Sequence, residues 1–233
     1  MYIVKTALAS APDSPYSQSL YVEPVDDEGE KIPNANLRAW EEENWWRRLH
    51  TDNEGKDPQV LVPNAAFMQS IAEAARYLNK AIPGEGTSKW TKCFESAVYV
   101  GQNIPLYRPK WKGDDLQRRK LVGHEPIRRS DAYGRWFLMS SKGNKGKGGG
   151  SRVWRKYPMI DEWVAFVDWV VLDDRINQDI FTEVLRAAGF YKGIGRFRPE
   201  VGGSNGRFYT CEFAWPKGLP KTQGETEEVK KAS

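Results

Sequence analysis

The chain has 233 residues, of which 28% are charged and 39% hydrophobic, with a mean hydropathy of −0.68. This composition is typical of a soluble globular protein with one large or two small domains, and it excludes a mainly disordered, collagen-like or coiled-coil architecture. No apolar run approaches the roughly 18 to 20 residues that a bilayer-spanning helix needs, and the first residues do not resemble a secretory signal. We therefore expect a cytoplasmic protein that does not contact a membrane.

Charge is distributed unevenly along the chain, although the formal net charge is only +4. Residues 104–156 hold 15 of the 35 basic side chains but only 4 of the 31 acidic ones. Such a local excess of positive charge repels itself unless a polyanion compensates it. The charge pattern therefore indicates a nucleic acid as the first partner to consider.

The first half of the chain predicts alternating strands and helices. A run rich in β-branched residues predicts a strand at 2–9. Apolar side chains at helical spacing predict a helix at 64–80, which begins after Pro63. The other elements predicted in this half are a strand from about residue 20, a helix at 35–50, and strands at 59–62 and 92–100.

The second half contains a less regular stretch followed by three ordered elements. Residues 101–156 are rich in Gly, Pro, Lys and Arg, which predicts an irregular basic insertion with a low-complexity run at 142–150. After it the sequence predicts one long or bent strand at 159–172, a helix at 177–188 and a strand at 206–213. In this interpretation Asn177 caps the start of the helix and Gly189 takes the C′ position at its end.

This order of elements predicts an α+β fold. Two βαβ-like passages, one on each long helix, indicate a ferredoxin-like (RRM-like) core with a mixed or antiparallel sheet and helices on one face. We expect a single domain over residues 1–216, interrupted by the insertion 101–157. The tail 217–233 lacks aromatic residues and is expected to be disordered.

A glycine- and arginine-rich stretch at 189–208 is the sharpest motif. Six glycines and four basic residues lie there between a predicted helix and a predicted strand. Glycine has no Cβ to hold off a phosphodiester backbone, and arginine can donate two hydrogen bonds to phosphate oxygens. Neither the P-loop pattern nor the Rossmann glycine pattern fits this stretch. The predicted nucleic-acid contacts here are Gly193, Gly195, Arg196, Arg198 and Arg207.

Three segments resemble the RAMP superfamily, the RNA-binding proteins of CRISPR effector complexes. Residues 61–78 (LVPNAAFMQSIAEAARYL) resemble its strand-to-helix passage, residues 193–198 (GIGRFR) resemble its glycine-rich loop, and residues 14–19 (SPYSQS) lie where its first strand ends. The resemblance implies a modified ferredoxin-like fold that holds single-stranded nucleic acid, often as a subunit of a larger complex. A phage or mobile-element protein that keeps this fold is equally compatible.

The basic insertion carries the remaining predicted contacts, because its cations are interleaved with aromatic residues. Cations contact phosphates while aromatic faces stack on unpaired bases, a combination that recurs in sequence-tolerant single-strand binders. The predicted cationic contacts are Lys110, Lys112, Arg118, Arg119, Lys120, Arg128, Arg129, Lys142, Lys145, Lys147, Arg152, Arg155 and Lys156. The predicted stacking residues are Tyr107, Trp111, Tyr133 and Trp154.

The sequence predicts no catalytic centre, no metal and no cofactor. The two cysteines stand alone among packing residues, and neither His50 nor His124 has a partner at metal-ligand spacing. Those two histidines are the candidates for acid–base chemistry on RNA. Asp52 and Asp57 are the candidates for a cleavage loop of the kind found in RAMP-like slicers.

We therefore predict a non-catalytic protein that binds single-stranded RNA or DNA through its backbone, largely independently of sequence, and that assembles along its ligand or within a multi-subunit complex. The first alternative is an RNA-processing endonuclease of the same fold. The second is a viral inhibitor or scaffold that acts through protein contacts, since ten tryptophans exceed what a core of this size requires.

Overall fold

The computed structural model contains more strand than helix, and it describes residues 1–17, 22–33, 35–115, 118–140 and 152–219. The helices are α1 (Leu37–Asn44), α2 (Asn64–Leu78), α3 (Trp90–Ala97) and α4 (Gln178–Ala187). The strands are β1 (Tyr2–Ser10), β2 (Tyr16–Ser17), β3 (Leu61–Val62), β4 (Val98–Val100), β5 (Ile104–Lys112), β6 (Lys120–Pro126), β7 (Tyr133–Ser140), β8 (Arg152–Ile160), β9 (Val164–Val171) and β10 (Phe208–Ala214). In the described ranges, no helix has the length and apolar content needed to cross a bilayer.

The larger sheet has the strand order of a ferredoxin-like fold. β1 pairs antiparallel with both β9 and β10, and β4 pairs antiparallel with β9, which gives the spatial order β10-β1-β9-β4. Helices α2 and α3 connect β1 to β4, and α4 connects β9 to β10. This βαββαβ succession confirms the predicted α+β class and its ferredoxin-like core.

The main core lies between this sheet and helices α2, α3 and α4, which pack on one face as predicted. Because side chains alternate along a strand, Val4 and Leu8 of β1 point to the same face as Val167 and Trp169 of β9. Phe67 of α2 and Phe94 and Phe181 of the neighbouring helices belong to the same buried cluster. The indole Nε1 of Trp169 donates to Thr6 Oγ1 at 3.0 Å, so its one polar atom is satisfied inside the core.

The strand predicted at 92–100 is wrong, because most of it forms α3. Trp90, Cys93, Phe94 and Ala97 are buried and follow the i, i+3, i+4, i+7 spacing of a helix. Only the last three residues, Val98–Val100, are extended. The aromatic and β-branched content of the segment pointed to a strand, whereas its apolar spacing is helical.

The insertion is more ordered than its composition indicates. β5 and β6 form a hairpin that joins the larger sheet beside β9, while β7 and β8 pair with β2 in a second, three-stranded sheet. The single strand predicted at 159–172 is therefore wrong. It is divided at 161–163 between two sheets, with β8 before the break and β9 after it.

Two of the predicted helices end differently in the structure. The helix predicted at 35–50 is α1 followed by a tighter 3-10 turn, Trp45–Arg48. Asn177 caps α4 as predicted, since its Oδ1 accepts from the Ile180 amide at 3.1 Å. Gly189 does not take the C′ position, because the chain continues in a π-type turn, Ala188–Lys192. A Cβ at Gly189 would lie 2.1 Å from the Phe208 carbonyl oxygen, so close packing on β10 requires glycine there.

Candidate nucleic-acid interface

One face of the β5–β6 hairpin carries a row of cations. Arg108, Lys110 and Lys112 alternate along β5 and so share a face, and Lys120 lies directly opposite Lys112 on β6. We call these four residues the hairpin strip. Asp131 accepts from Arg108 at 2.7 Å and Glu125 accepts from Lys110. Lys112 and Lys120 have no ion pair among the described residues, so the tip of the strip is uncompensated.

A cavity beside Trp46 lies next to the turn that pairs with the inner end of the strip. Asp131, the partner of Arg108, belongs to a 3-10 turn, Arg129–Asp131, that faces the turn Trp45–Arg48 across an open volume of about 630 Å³. We call this volume the Trp46 cavity. Its lining residues are Trp45, Trp46, Lys56, Asp57, Arg129, Ser130 and Ala132. A smaller cavity of about 370 Å³ also contacts Trp46 and Arg129.

Arg119 and Trp111, two predicted contacts, are held by interactions within the protein. The guanidinium carbon of Arg119 lies 4.1 Å from the centre of the Trp111 ring. The same guanidinium donates to the Tyr209 hydroxyl at 2.8 Å and to Glu162 at 3.2 Å. This arrangement fixes one end of the hairpin over the open face of the larger sheet. Arg118 is exposed and lies 3.7 Å from Asp115.

The open face of the larger sheet also carries an aromatic cluster. The ring of His124 lies 4.7 Å from the rings of both Tyr107 and Phe166, measured between ring centres. Tyr107 and Phe166 are themselves in edge-to-face contact at 5.7 Å. Tyr107, a predicted stacking residue, therefore contacts other rings of this sheet.

In the second sheet, two predicted cations face carboxylates. Arg155 donates to Glu41 at 2.7 Å, and Lys156 pairs with Glu42. Tyr133 donates to Asp161 at 2.6 Å, and burial together with this carboxylate raises the pKa of Tyr133 to about 12. Trp154 is exposed on β8, which begins at Arg152. Lys142, Lys145 and Lys147 lie outside the described residues.

The glycines of the 189–208 stretch pack against the protein itself. A Cβ at Gly195 would lie 2.3 Å from the Ser17 carbonyl oxygen, and one at Gly193 would lie 2.8 Å from Pro199. The three arginines that accompany them differ in their surroundings. Arg198 contacts Glu73 at 3.3 Å, Arg207 donates to the Phe190 carbonyl at 3.1 Å, and the Arg196 guanidinium lies 4.8 Å from the centre of the Tyr157 ring. The role of this stretch in nucleic-acid binding remains a prediction.

The candidate catalytic acids take part in turn hydrogen bonds. Asp52 accepts from the Glu54 and Gln59 amides at 3.1 and 3.0 Å. Asp57 accepts from both the amide and the hydroxyl of Ser130, and these hydrogen bonds lower the pKa of Asp57. No group of three or more metal-ligating side chains occurs within the described ranges.

His50 follows the turn that carries Trp46, and its partial burial gives a pH-dependent expectation. Burial lowers the pKa of His50, so the unfolded chain takes up a proton on this residue at a higher pH than the folded chain does. Folding stability should therefore fall as the pH drops below about 6.5, the ordinary pKa of histidine. Urea unfolding at pH 7 and pH 5 measures this loss, and His50→Gln should reduce it. An unchanged pH dependence in the variant would contradict the assignment.

Five lining residues of the Trp46 cavity were not predicted as site residues, namely Trp45, Trp46, Lys56, Ser130 and Ala132. The two tryptophans fall in the helix predicted at 35–50, and the other three residues were given no role. Residues 45–57 meet residues 129–132 only through the fold, across more than seventy positions of sequence. The one local signal in the sequence is the pair of tryptophans followed by two arginines, directly after α1.

Comparisons with known proteins assign the chain to no family. No protein-family model matches the chain, and no curated protein matches it. Among solved structures, Cmr6 from Pyrococcus furiosus is similar with 10% sequence identity and a TM-score of 0.43, over 90% of this chain and 98% of that one.

Proposed function

We propose that this protein binds single-stranded nucleic acid through the phosphate backbone, largely independently of sequence. The observation that carries the proposal is that the hairpin strip and the Trp46 cavity meet at one turn, Arg129–Asp131, since Asp131 pairs with Arg108 of the strip and Arg129 lines the cavity. Along this path, Lys112 and Lys120 have no carboxylate partner among the described residues, and Trp46 of the cavity is exposed.

The chemistry of this path fits a flexible polyanion. Ammonium and guanidinium groups on a strand face attract phosphates wherever these lie, without reading base edges. Tryptophan rings stack on every base because each base has a π-face. A duplex would hide its bases from such rings, so the arrangement favours unpaired strands.

Neutralising the uncompensated tip of the strip tests this function. Lys112→Gln with Lys120→Gln should weaken binding of oligothymidylate and oligoadenylate by a similar factor. If each lysine neutralises one phosphate, the slope of log affinity against log salt should become shallower by roughly 1.4. Fluorescence anisotropy with labelled oligonucleotides at several salt concentrations measures both quantities.

The matched control removes two charges that are already paired elsewhere. Lys31 and Lys80 are exposed and lie 2.9 and 2.6 Å from Glu23 and Glu183. Lys31→Gln with Lys80→Gln changes the net charge equally and should leave the salt slope unchanged. Equal slopes for the tip variant and the wild type, or an equal loss in both double variants, would contradict the assignment of the strip.

We further propose that the chain is a relative of the RAMP superfamily and acts within a larger assembly. The ferredoxin-like strand order and the three resembling segments support this relation. If it holds, the protein should elute at a larger size with single-stranded RNA or DNA than one copy bound to one strand. Size-exclusion chromatography with light scattering measures that mass.

A further inference from the structure

The Trp46 ring is held at the surface by the way α1 ends. Arg48, two residues further on, turns inward and makes two hydrogen bonds of 2.8 Å to buried Glu41. Because this ion pair anchors the 3-10 turn, its outer side presents Trp45 and Trp46 to the cavity. The side chain of Trp46 is 36% exposed, and its indole N–H is already bound to the Glu43 carbonyl at 2.9 Å. Its accessible part is therefore the apolar ring surface.

Two cations lie close to this ring. The Arg129 guanidinium carbon lies 4.7 Å from the ring centre, and that of Arg47 lies 5.7 Å from it. A hydrogen bond of 2.7 Å from Arg129 to the Lys56 carbonyl oxygen fixes its plane. No ion pair engages Arg47, Lys56 or Arg129 among the described residues, so these three charges remain available to an anion.

The one carboxylate in the cavity wall is already occupied. Asp57 accepts two hydrogen bonds from Ser130, at 2.9 Å from the amide and 2.6 Å from the hydroxyl. It therefore joins the loop before β3 to the turn Arg129–Asp131 and fixes the width of the cavity. The remaining charged groups of the wall, Lys56 and Arg129, are both positive.

We propose that the Trp46 cavity is a binding subsite for one unpaired nucleotide, which stacks its base on the Trp46 and Arg129 pair and places its phosphate near Lys56 or Arg47. This inference rests on the proposed function and names the position where a base is bound. The volume of about 630 Å³ lies within the range of small-ligand sites. Guanidinium planes and tryptophan rings are the surfaces on which unpaired bases stack.

The same cations would also attract an acidic peptide, but the rings favour a nucleotide. A carboxylate side chain gains nothing from a flat apolar ring, whereas a base covers it and extends the existing cation–π stack. Oligoglutamate therefore serves as the competing probe. If it displaced a labelled oligonucleotide at equal charge concentration, and did so only when Trp46 is present, the site would bind acidic protein segments and the inference would be overturned.

The decisive experiment separates stacking from charge. Trp46→Leu should weaken binding of a short labelled oligothymidylate by roughly 5- to 100-fold, the range expected when one base loses its stacking partner. Binding of an abasic backbone of the same length should be unchanged, because it carries the same phosphates but no bases. The salt slope should also stay unchanged, since no charge is removed.

Control variants make each failure identifiable. Tyr77→Leu removes another exposed ring, 55% exposed, from α2 outside the cavity, and should bind both probes like the wild type. If the wild type binds neither probe, the proposed function fails. The subsite is overturned if the wild type binds oligothymidylate and Trp46→Leu binds it equally well. It is also overturned if Trp46→Leu loses affinity for the abasic backbone as much as for oligothymidylate. The thermal midpoint of Trp46→Leu should stay close to that of the wild type, because the ring lies at the surface.

Discussion

Glu41→Ala should lower the free energy of unfolding by about 3 to 5 kcal/mol, the loss expected when a buried ion pair is broken. The Glu41 side chain is 0% exposed, and its two oxygens accept from Arg48, from Arg155 and from the Lys156 amide. Removing the carboxylate leaves the Arg48 guanidinium buried without a counter-charge. For a chain of this size, the thermal midpoint should fall by roughly 10 °C.

The neighbouring residue provides the matched control. Glu42 also pairs with a lysine but is 56% exposed, so Glu42→Ala should cost much less than Glu41→Ala. A double variant, Glu41→Leu with Arg48→Met, removes the buried pair but leaves the partly exposed Arg155 without its partner, so it should recover part of the loss. Urea unfolding of the two single variants and the double variant measures these changes in the free energy of unfolding. An equal loss in Glu41→Ala and Glu42→Ala would show that the buried pair does not stabilise the fold.

Gly206→Ala should destabilise the protein by about 2 to 5 kcal/mol, through backbone strain and a steric clash together. Gly206 has a φ of +70°, and a Cβ there would lie 1.9 Å from the Ile194 carbonyl oxygen. That backbone segment cannot move away freely, because the Ile194 amide donates to the Gly206 carbonyl at 2.9 Å. The substitution should therefore disrupt the hydrogen bond between Ile194 and Gly206, which holds the two ends of the stretch 193–207 together.

Gly202 separates the two contributions. Its φ of +82° is similar, but a Cβ there would have no atom within 4 Å, so Gly202→Ala should cost only about 1 to 2 kcal/mol of strain. Thermal unfolding of both variants gives the difference that belongs to the clash. Equal losses would show that conformational strain alone explains the requirement for glycine at 206.

The fold was predictable where one apolar periodicity spans an element. α2 and α4 each show such a period, β1 is marked by its β-branched residues, and the bounds of all three differ from the prediction by few residues. α3 was missed because it is short and its aromatic content resembles a strand. The strands of the insertion were missed because their glycine and proline content hides the alternation that pairing requires, as β5 shows with Pro105 and Pro109.

The candidate site was predictable in its charge but not in its geometry. Composition alone locates the basic segment. It does not show which of the cations can bind phosphates, because that depends on carboxylates far away in sequence. Glu41 and Glu42 are separated by 114 residues from Arg155 and Lys156. Pairing across such distances is a property of the tertiary structure. Because Arg155 and Lys156 of the second sheet are paired in this way, the hairpin strip and the Trp46 cavity are the better candidates for the site.

The position of β1 in the middle of its sheet has a consequence for synthesis on the ribosome. Both partners of β1 come late in the chain, since Ala7 lies opposite Phe166 on one side and Glu212 on the other. Chain synthesis proceeds at about 5 to 20 residues per second, so β1 remains without its first partner strand for on the order of ten seconds. During that interval the nascent chain exposes an apolar strand with two open edges, a form prone to association with other chains. The sheet around β1 can therefore form only after the last third of the sequence has been synthesised.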